Sequence, residues 1–202
     1  MTPEAVEYLR RTDPTMAKLI ARVGPCTLKP KTRRSPFEAL VSAVTHQQLN
    51  GTAAMTILRR VLALYPGKRF PKPEDILATP DAQLRAAGLS AAKAASIRDI
   101  AEKALSGIVP TAAAARKLSD AEILERLTSV RGVGPWTVEM LLIFTLGRPD
   151  VLPVGDYGVR KGFALIHGWK DLPTPKELLK EGERWKPHRS TAAWYLWRAL
   201  EL

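Results

Sequence analysis

Cysteine is almost missing from this chain: Cys26 stands alone among 202 residues. One thiol cannot close an intrachain disulfide, and with only three histidines no Cys/His cluster has the spacing of a zinc site. Strand signals are as scarce. No stretch alternates apolar and polar residues at period two, and only Cys26–Lys31 reads as a short extended piece. The first 25 residues lack the apolar run of a signal peptide, and nothing approaches the length of a membrane span. A cytoplasmic protein without membrane contact is therefore expected. No repeat period or low-complexity tract stands out.

What is present favours a folded, polyanion-seeking protein. Hydrophobic residues make up 46% of the chain, enough for a packed core and too many for wholesale disorder. The length suits one well-buried domain or two small helical lobes that share an interface. Basic residues outnumber acidic ones by 31 to 20, a formal charge of +11, which favours partners such as nucleic acid. The basic pairs Arg33-Arg34, Arg59-Arg60, Lys68-Arg69, Arg116-Lys117 and Arg160-Lys161 are scattered along the chain. That distribution fits a folded surface better than a disordered basic arm.

Helix signals dominate. Thr2-Pro3 and Asp13-Pro14 each place a capping side chain before a proline at the first helical position. Phe37, Leu40, Val41 and Val44 recur at helical spacing, as do Ile57, Leu58, Val61 and Leu62 in the next segment. Ser119 with Glu122, and Thr174 with Glu177, read as capping boxes. Ala91–Leu105 is alanine-rich and strongly helix-forming, and Leu196 and Leu200 anchor a final helix. Breaks fall at Gly24-Pro25, Pro66–Pro73, Gly107–Pro110 and Gly147–Gly155. Leu84–Ala94 is read as a helix ending at Gly88 followed by a Ser90 cap, although it loosely echoes the hairpin described next.

The most informative segment is Leu127–Thr137, in which an apolar helix end runs into Gly132-Val133-Gly134 and a second helix starts at once. Two glycines two apart allow a tight turn and leave amide N–H groups uncovered at a helix N-terminus. Orphan donors and the positive helix end both favour an anion such as a phosphate oxygen. Asp156 follows 22 residues after Gly134, at the start of another helix. Taken alone it is a good helix N-cap. A phosphate-binding turn with a carboxylate downstream also suggests chemistry on nucleic acid, and the two roles are compatible.

From Leu127 to Phe163 the chain resembles the helix-hairpin-helix (HhH-GPD) DNA glycosylases, most of all the bacterial 3-methyladenine DNA glycosylase II group. The likeness extends over roughly residues 36 to 202. It implies an all-α fold of two helical lobes with an active cleft between them. On that model residues 1–35 and 127–202 form the lobe with the hairpin and the acid, and residues 36–126 form the central lobe with a wedge loop. Pro36-Phe37-Glu38 comes too early for the N-terminal β-rich domain of larger members, so a reduced form is implied.

The resemblance also assigns roles. Gly132, Val133 and Gly134 would grip a DNA phosphate through backbone amides, with Thr137 adding a hydroxyl, contacts that position a duplex without reading its sequence. Hairpin carbonyls in this family can hold a monovalent cation; no other cofactor is implied. Asp156 would be the catalytic carboxylate. Trp136 occupies the position where lyase-competent relatives carry a lysine, so hydrolysis without strand cleavage is implied. The four-cysteine iron–sulfur cluster of other relatives is excluded by the cysteine count. Trp136, Met140 (one turn on, on the same helix face) and Trp197 would wall a base pocket, preceded in the last case by the family-like run Arg184–Ser190. Core packing is the plainer reading of tryptophans at helical spacing. Tyr157 fits either the same pocket or a place beneath Asp156. Gln47, Gln48 and Leu49, between two amphipathic helices, match the family's wedge loop, with a polar helix–helix turn as the ordinary alternative; His46 beside them is expected to be solvated.

The expected protein is thus a monomeric, nucleoid-associated glycosylase that flips alkylated purines out of double-stranded DNA and excises them in base excision repair. Two rivals stand beside it: the same fold acting on another damaged or mismatched base, and a helix-hairpin-helix module that binds DNA without catalysis.

Overall fold

The computed structural model describes residues 2–202, and among them there are helices, turns and loops but no strand. Contacts divide the chain into two units: the segment up to Lys31 together with Leu142–Leu202, and the continuous segment Thr32–Leu141. The cuts fall after residues 31 and 141, where the sequence reading has them after 35 and 126. The hairpin groups with the central helices rather than with the C-terminal ones. The reason is packing: the helix after the hairpin lies against helices from both ends of the central segment.

In chain order, α1 (Pro3–Thr12) and α2 (Pro14–Val23) open the first unit. Thr2 and Asp13 cap them as the sequence indicates, Asp13 accepting from the N–H groups of Thr15 and Met16 at 2.9 and 3.0 Å. The central unit follows with α3 (Pro36–His46), α4 (Gly51–Ala63), α5 (Pro73–Ala78), α6 (Asp81–Ala86), α7 (Ala91–Leu105), α8 (Ala112–Ala115), α9 (Asp120–Thr128) and α10 (Pro135–Leu141). The chain then returns to the first unit through a π-helical turn at Leu142–Leu146, α11 (Tyr157–His167), α12 (Pro175–Glu181) and α13 (Arg189–Arg198). Both expected capping boxes form, at Ser119/Glu122 and Thr174/Glu177, and a further one forms at Ser35/Glu38. Cys26–Lys31 joins no sheet; its end is fixed instead by the Lys31 N–H, which donates to Phe144 O at 2.8 Å.

The central unit is built around α7, on which α3, α5 and α6 pack. Its Ile97, Ile100 and Ala101 are fully buried, and each isoleucine side chain contributes about 1.5–3 kcal/mol through burial. Helix α3 is buried almost throughout and carries α4, α7 and α10 against it, while α9 packs on α10. Ser90 caps α7 through the Lys93 N–H, so the Gly88–Ser90 segment is the helix end and cap read from the sequence.

In the other unit α13 packs on α11, α2 and α1. A polar knot sits in this core. Asp13 is 1% exposed, and its second oxygen accepts from the indole N–H of the fully buried Trp185 at 2.9 Å. His167 Nε2 stands 3.6 Å from the same oxygen, and the ring lies against Phe163. Burial lowers the His167 pKa below the usual histidine value, with Asp13 opposing the shift. Trp185 and Trp194, at 0% and 8% exposure, are thus core residues, as the plainer reading of tryptophan holds.

Candidate functional site

In the unit Thr32–Leu141, the hairpin joins the end of α9 at Thr128 to the start of α10 at Pro135. Gly132 has φ +76°, in the left-handed region, and a Cβ added there would lie 2.6 Å from Ser96 Oγ. Glycine is therefore required twice over, by the turn and by the close approach to α7. The Arg131 N–H donates to Asp99 Oδ2 at 2.7 Å, and the Val133 N–H closes a turn onto Val130 O at 3.1 Å. Val133 buries its side chain while Gly132 and Gly134 remain exposed, so what the turn offers outward is backbone. Such a surface can take an anion with no side chain intervening.

The loop between α3 and α4 reaches this hairpin. Gln47 Nε2 donates to Gly132 O at 2.9 Å. Gln48 is exposed with φ +56°, the one non-glycine residue among those described with a positive φ, and Leu49 is 40% exposed. A left-handed residue of this kind costs about 1–2 kcal/mol and persists only where its surroundings hold it. His46 is not simply solvated: it is half-buried, with Nδ1 2.7 Å from Ser42 O.

In the other unit, Asp156 is the N-cap of α11. Its Oδ1 accepts from the Val159 N–H at 2.8 Å and from the indole N–H of Trp197, on α13, at 2.9 Å. The two donors fix the orientation of a partly exposed carboxylate at a positive helix end. Trp197 stacks on Phe144, with ring centroids 5.7 Å apart and planes 28° from parallel. Phe144 sits in the π-helical turn and remains 37% exposed. An extra residue in one helical turn re-aims a side chain, and such turns cluster at functional sites.

The approach of α11 to α13 depends on two glycines one turn apart. A Cβ on Gly158 would lie 2.9 Å from Trp197 Cδ1 and 3.1 Å from Asp156 Oδ1. One on Gly162 would fall 2.1 Å from the backbone oxygen of Leu196. Their absence lets the two helices close until the indole N–H meets the acid.

The residues expected from the sequence are placed as follows. Asp156, Tyr157 and Trp197 belong to one unit; Trp136, Met140, the hairpin and Gln47, Gln48 and Leu49 belong to the other. Trp136 is 48% exposed and Met140 partly so, which removes core packing as the account of that tryptophan. Tyr157 is 63% exposed with Lys161 Nζ 5.8 Å from its ring centre, so it does not pack beneath Asp156. Thr137 is 3% exposed. It follows Trp136 on α10, and when one faces out the next turns toward the core. Phe144, Gly158 and Gly162 were missed, the first because nothing in the sequence marks a π turn. The Gly-x3-Gly spacing at 158 and 162 was the available signal for the other two.

Among the described residues, no group of His, Cys, Asp and Glu could hold a metal ion, and no helix is long and apolar enough to cross a membrane. The family model for the HhH-GPD superfamily base excision DNA repair protein matches residues 41–188. The chain is 43% identical over 170 residues to DNA-3-methyladenine glycosylase 1 of Schizosaccharomyces pombe, covering 84% of this chain and 75% of that protein. It is 34% identical over 199 residues to the alkylbase DNA glycosidase-like protein of the same yeast, covering 98% and 93%. The solved structure of an S. pombe 3-methyladenine DNA glycosylase in complex with abasic DNA superposes with a TM-score of 0.87 at 39% identity, covering 98% of this chain and 97% of that one. By the extent of that match and these identities, the chain belongs to the HhH-GPD superfamily of base excision DNA repair proteins.

Proposed function

We propose that this protein hydrolyses the N-glycosidic bond of alkylated purines, of the 3-methyladenine kind, in double-stranded DNA, as a step of base excision repair. The observation that carries the reading is the Asp156 carboxylate, held at a helix N-terminus by Trp197 and Val159, in a chain whose relatives are named 3-methyladenine glycosylases. The exposed Gly132 and Gly134 amides grip a phosphate, the Val133 N–H being taken by Val130 O, and Gln48 and Leu49 enter the stack where the nucleotide leaves it. Flipping costs a few kcal/mol and is cheapest at damaged pairs.

Once the base is out, the C1′–N bond breaks and its electron pair leaves with the base. A methylated purine cation departs neutral and needs no proton from the enzyme. Asp156 stabilises the oxocarbenium-like sugar electrostatically; water then bonds to C1′ and gives its proton to the carboxylate. Aromatic rings favour a cationic base: the exposed Trp136, beside the partly exposed Met140 on α10, and in the other unit the partly exposed Trp197 stacked on Phe144, and the exposed Tyr157. Trp136 stands where an attacking lysine would be needed for a Schiff base, so the product is an intact abasic strand. The type II-like assignment rests on the resemblance of Leu127–Phe163. A monovalent cation at the hairpin would be held by its backbone carbonyls, and no step is assigned to it. The working form is a monomer on nucleoid DNA in the cytoplasm.

The test is base release from a methylated duplex by the wild type and by Asp156→Asn, with free 3-methyladenine, 7-methylguanine and 1-methyladenine resolved and strand breaks counted separately. Asparagine keeps the helix cap and removes the charge. A rate loss of at least about 100-fold with DNA binding retained is expected. Equal release by both proteins would refute the assignment of Asp156.

A further inference from the structure

One face of α7 serves both elements proposed to touch DNA. Lys93, Ser96 and Asp99 are spaced three apart and so share a side of the helix. Asp99 holds the Arg131 N–H at 2.7 Å, and Ser96 lies under Gly132. Lys93 Nζ donates to both Thr45 O and Gln47 O, each at 2.8 Å. Gln47 closes the circuit by donating its side-chain N–H to Gly132 O at 2.9 Å. Hairpin and loop are thus referred to one rigid helix and also to each other.

A lysine at the carbonyl end of a helix is an ordinary stabilising device, and Thr45 O fits that account. Gln47 O does not, because it lies past the end of α3 and just before Gln48 with its positive φ. A donor at that carbonyl pins the residue preceding the strained one. Partial burial also lowers the Lys93 pKa, a desolvation cost that water bound to the same carbonyls would not incur. The strained loop and the costly tether occur together, which points to geometry being held for use.

We propose that Lys93 is a positioning residue: with Gln47 it holds Gln48 and Leu49 in fixed register with the hairpin, so that the loop enters the duplex at a set distance from the gripped phosphate. The inference rests on the loop's role stated under Proposed function. Lys93 touches neither base nor sugar on this account, so its loss weakens flipping and leaves bond cleavage alone.

The variants are Lys93→Met, which keeps the stem and removes the donors, Lys93→Arg, which restores donors, and Gln47→Ala. Single-turnover base release is measured on a methylated purine paired in a duplex and on the same purine opposite an abasic gap, where flipping costs little. Lys93→Met should lose about tenfold on the paired lesion and less than about twofold on the unpaired one, with Lys93→Arg recovering most of the loss. Gln47→Ala should show the same substrate dependence. Equal losses on the two substrates, or none on either, overturn the proposal, since a merely structural role moves both rates together. Amide hydrogen exchange across residues 46–50 without DNA is measured beside it. Exchange should rise in Lys93→Met and return in Lys93→Arg; unchanged protection overturns the tether even if the wild type releases no base, an outcome that would itself refute the proposed function.

Discussion

Gly158→Ala adds one methyl group where the structure has no room for it. The new Cβ would stand 2.9 Å from Trp197 Cδ1, 3.1 Å from Asp156 Oδ1 and 3.2 Å from Trp197 Nε1. The first of these is shorter than real contacts allow, so the indole has to shift. Its N–H donates to Asp156 at 2.9 Å, and a hydrogen bond to a charged acceptor is worth about 1.5–3 kcal/mol. If that bond serves the transition state in full, the chemical step slows about 10- to 100-fold, at roughly 1.4 kcal/mol per decade. Stability should respond in the opposite sense. Alanine is better than glycine inside a helix by about 0.5–1 kcal/mol, which offsets part of the clash and keeps the melting temperature within a few degrees of wild type.

The assay is single-turnover base release at saturating enzyme, paired with a thermal melt. Trp197→Phe is the companion: it keeps a ring to stack on Phe144, removes the donor and should match the loss in rate. Gly162→Ala is the control. Its Cβ would fall 2.1 Å from a backbone oxygen, which cannot rotate away, so the helices must part. Overpacking of that kind costs about 1–3 kcal/mol, or roughly 2–12 °C in melting temperature for a chain of this size. A Gly158→Ala protein that releases base within about twofold of the wild-type rate would refute the claim that the indole N–H organises the acid.

Two further outcomes follow from the geometry. Gly132→Ala combines a left-handed φ with a clash against Ser96 and should cost about 1–3 kcal/mol of stability while weakening duplex binding, read by a melt and a binding titration; unchanged affinity would remove the hairpin from the DNA-contacting surface. His167, whose pKa burial depresses, stays neutral in the fold at pH values where the unfolded chain binds a proton, so stability is fully present above the ordinary histidine pKa and declines as pH falls from there toward the folded value. Denaturant unfolding between pH 7 and pH 5 should show that slope, and His167→Gln should flatten it; identical slopes in both proteins would assign the pH dependence elsewhere.

The parts of this molecule that could be read in advance are those governed by local rules. Caps at Thr2, Asp13, Ser119 and Thr174, the Gly132–Gly134 turn and the N-cap role of Asp156 depend on residues within a few positions of one another. Features set by tertiary packing were not legible. Assigning the hairpin to the central unit requires knowing that α10 lies on α3. The outward Trp136 and inward Thr137 follow from how α10 is rotated, which a seven-residue helix leaves open in the sequence. Trp197 is the most instructive case. A pocket wall and a core residue were the two readings of it, and neither includes what the indole N–H does, which is donate to the carboxylate at the head of a neighbouring helix. That pairing is produced by absent side chains at 158 and 162, and by a π turn that brings Phe144 under the ring. One helix, α11, therefore carries the acid at its N-cap, the space for the partner of that acid along its side, and a partly buried histidine at its end. Charging His167 on acidification costs desolvation at the end of the helix whose N-terminus holds Asp156. The pH dependence of stability and that of base release should accordingly share a limb on the acid side in the wild type, and His167→Gln should remove it from both curves.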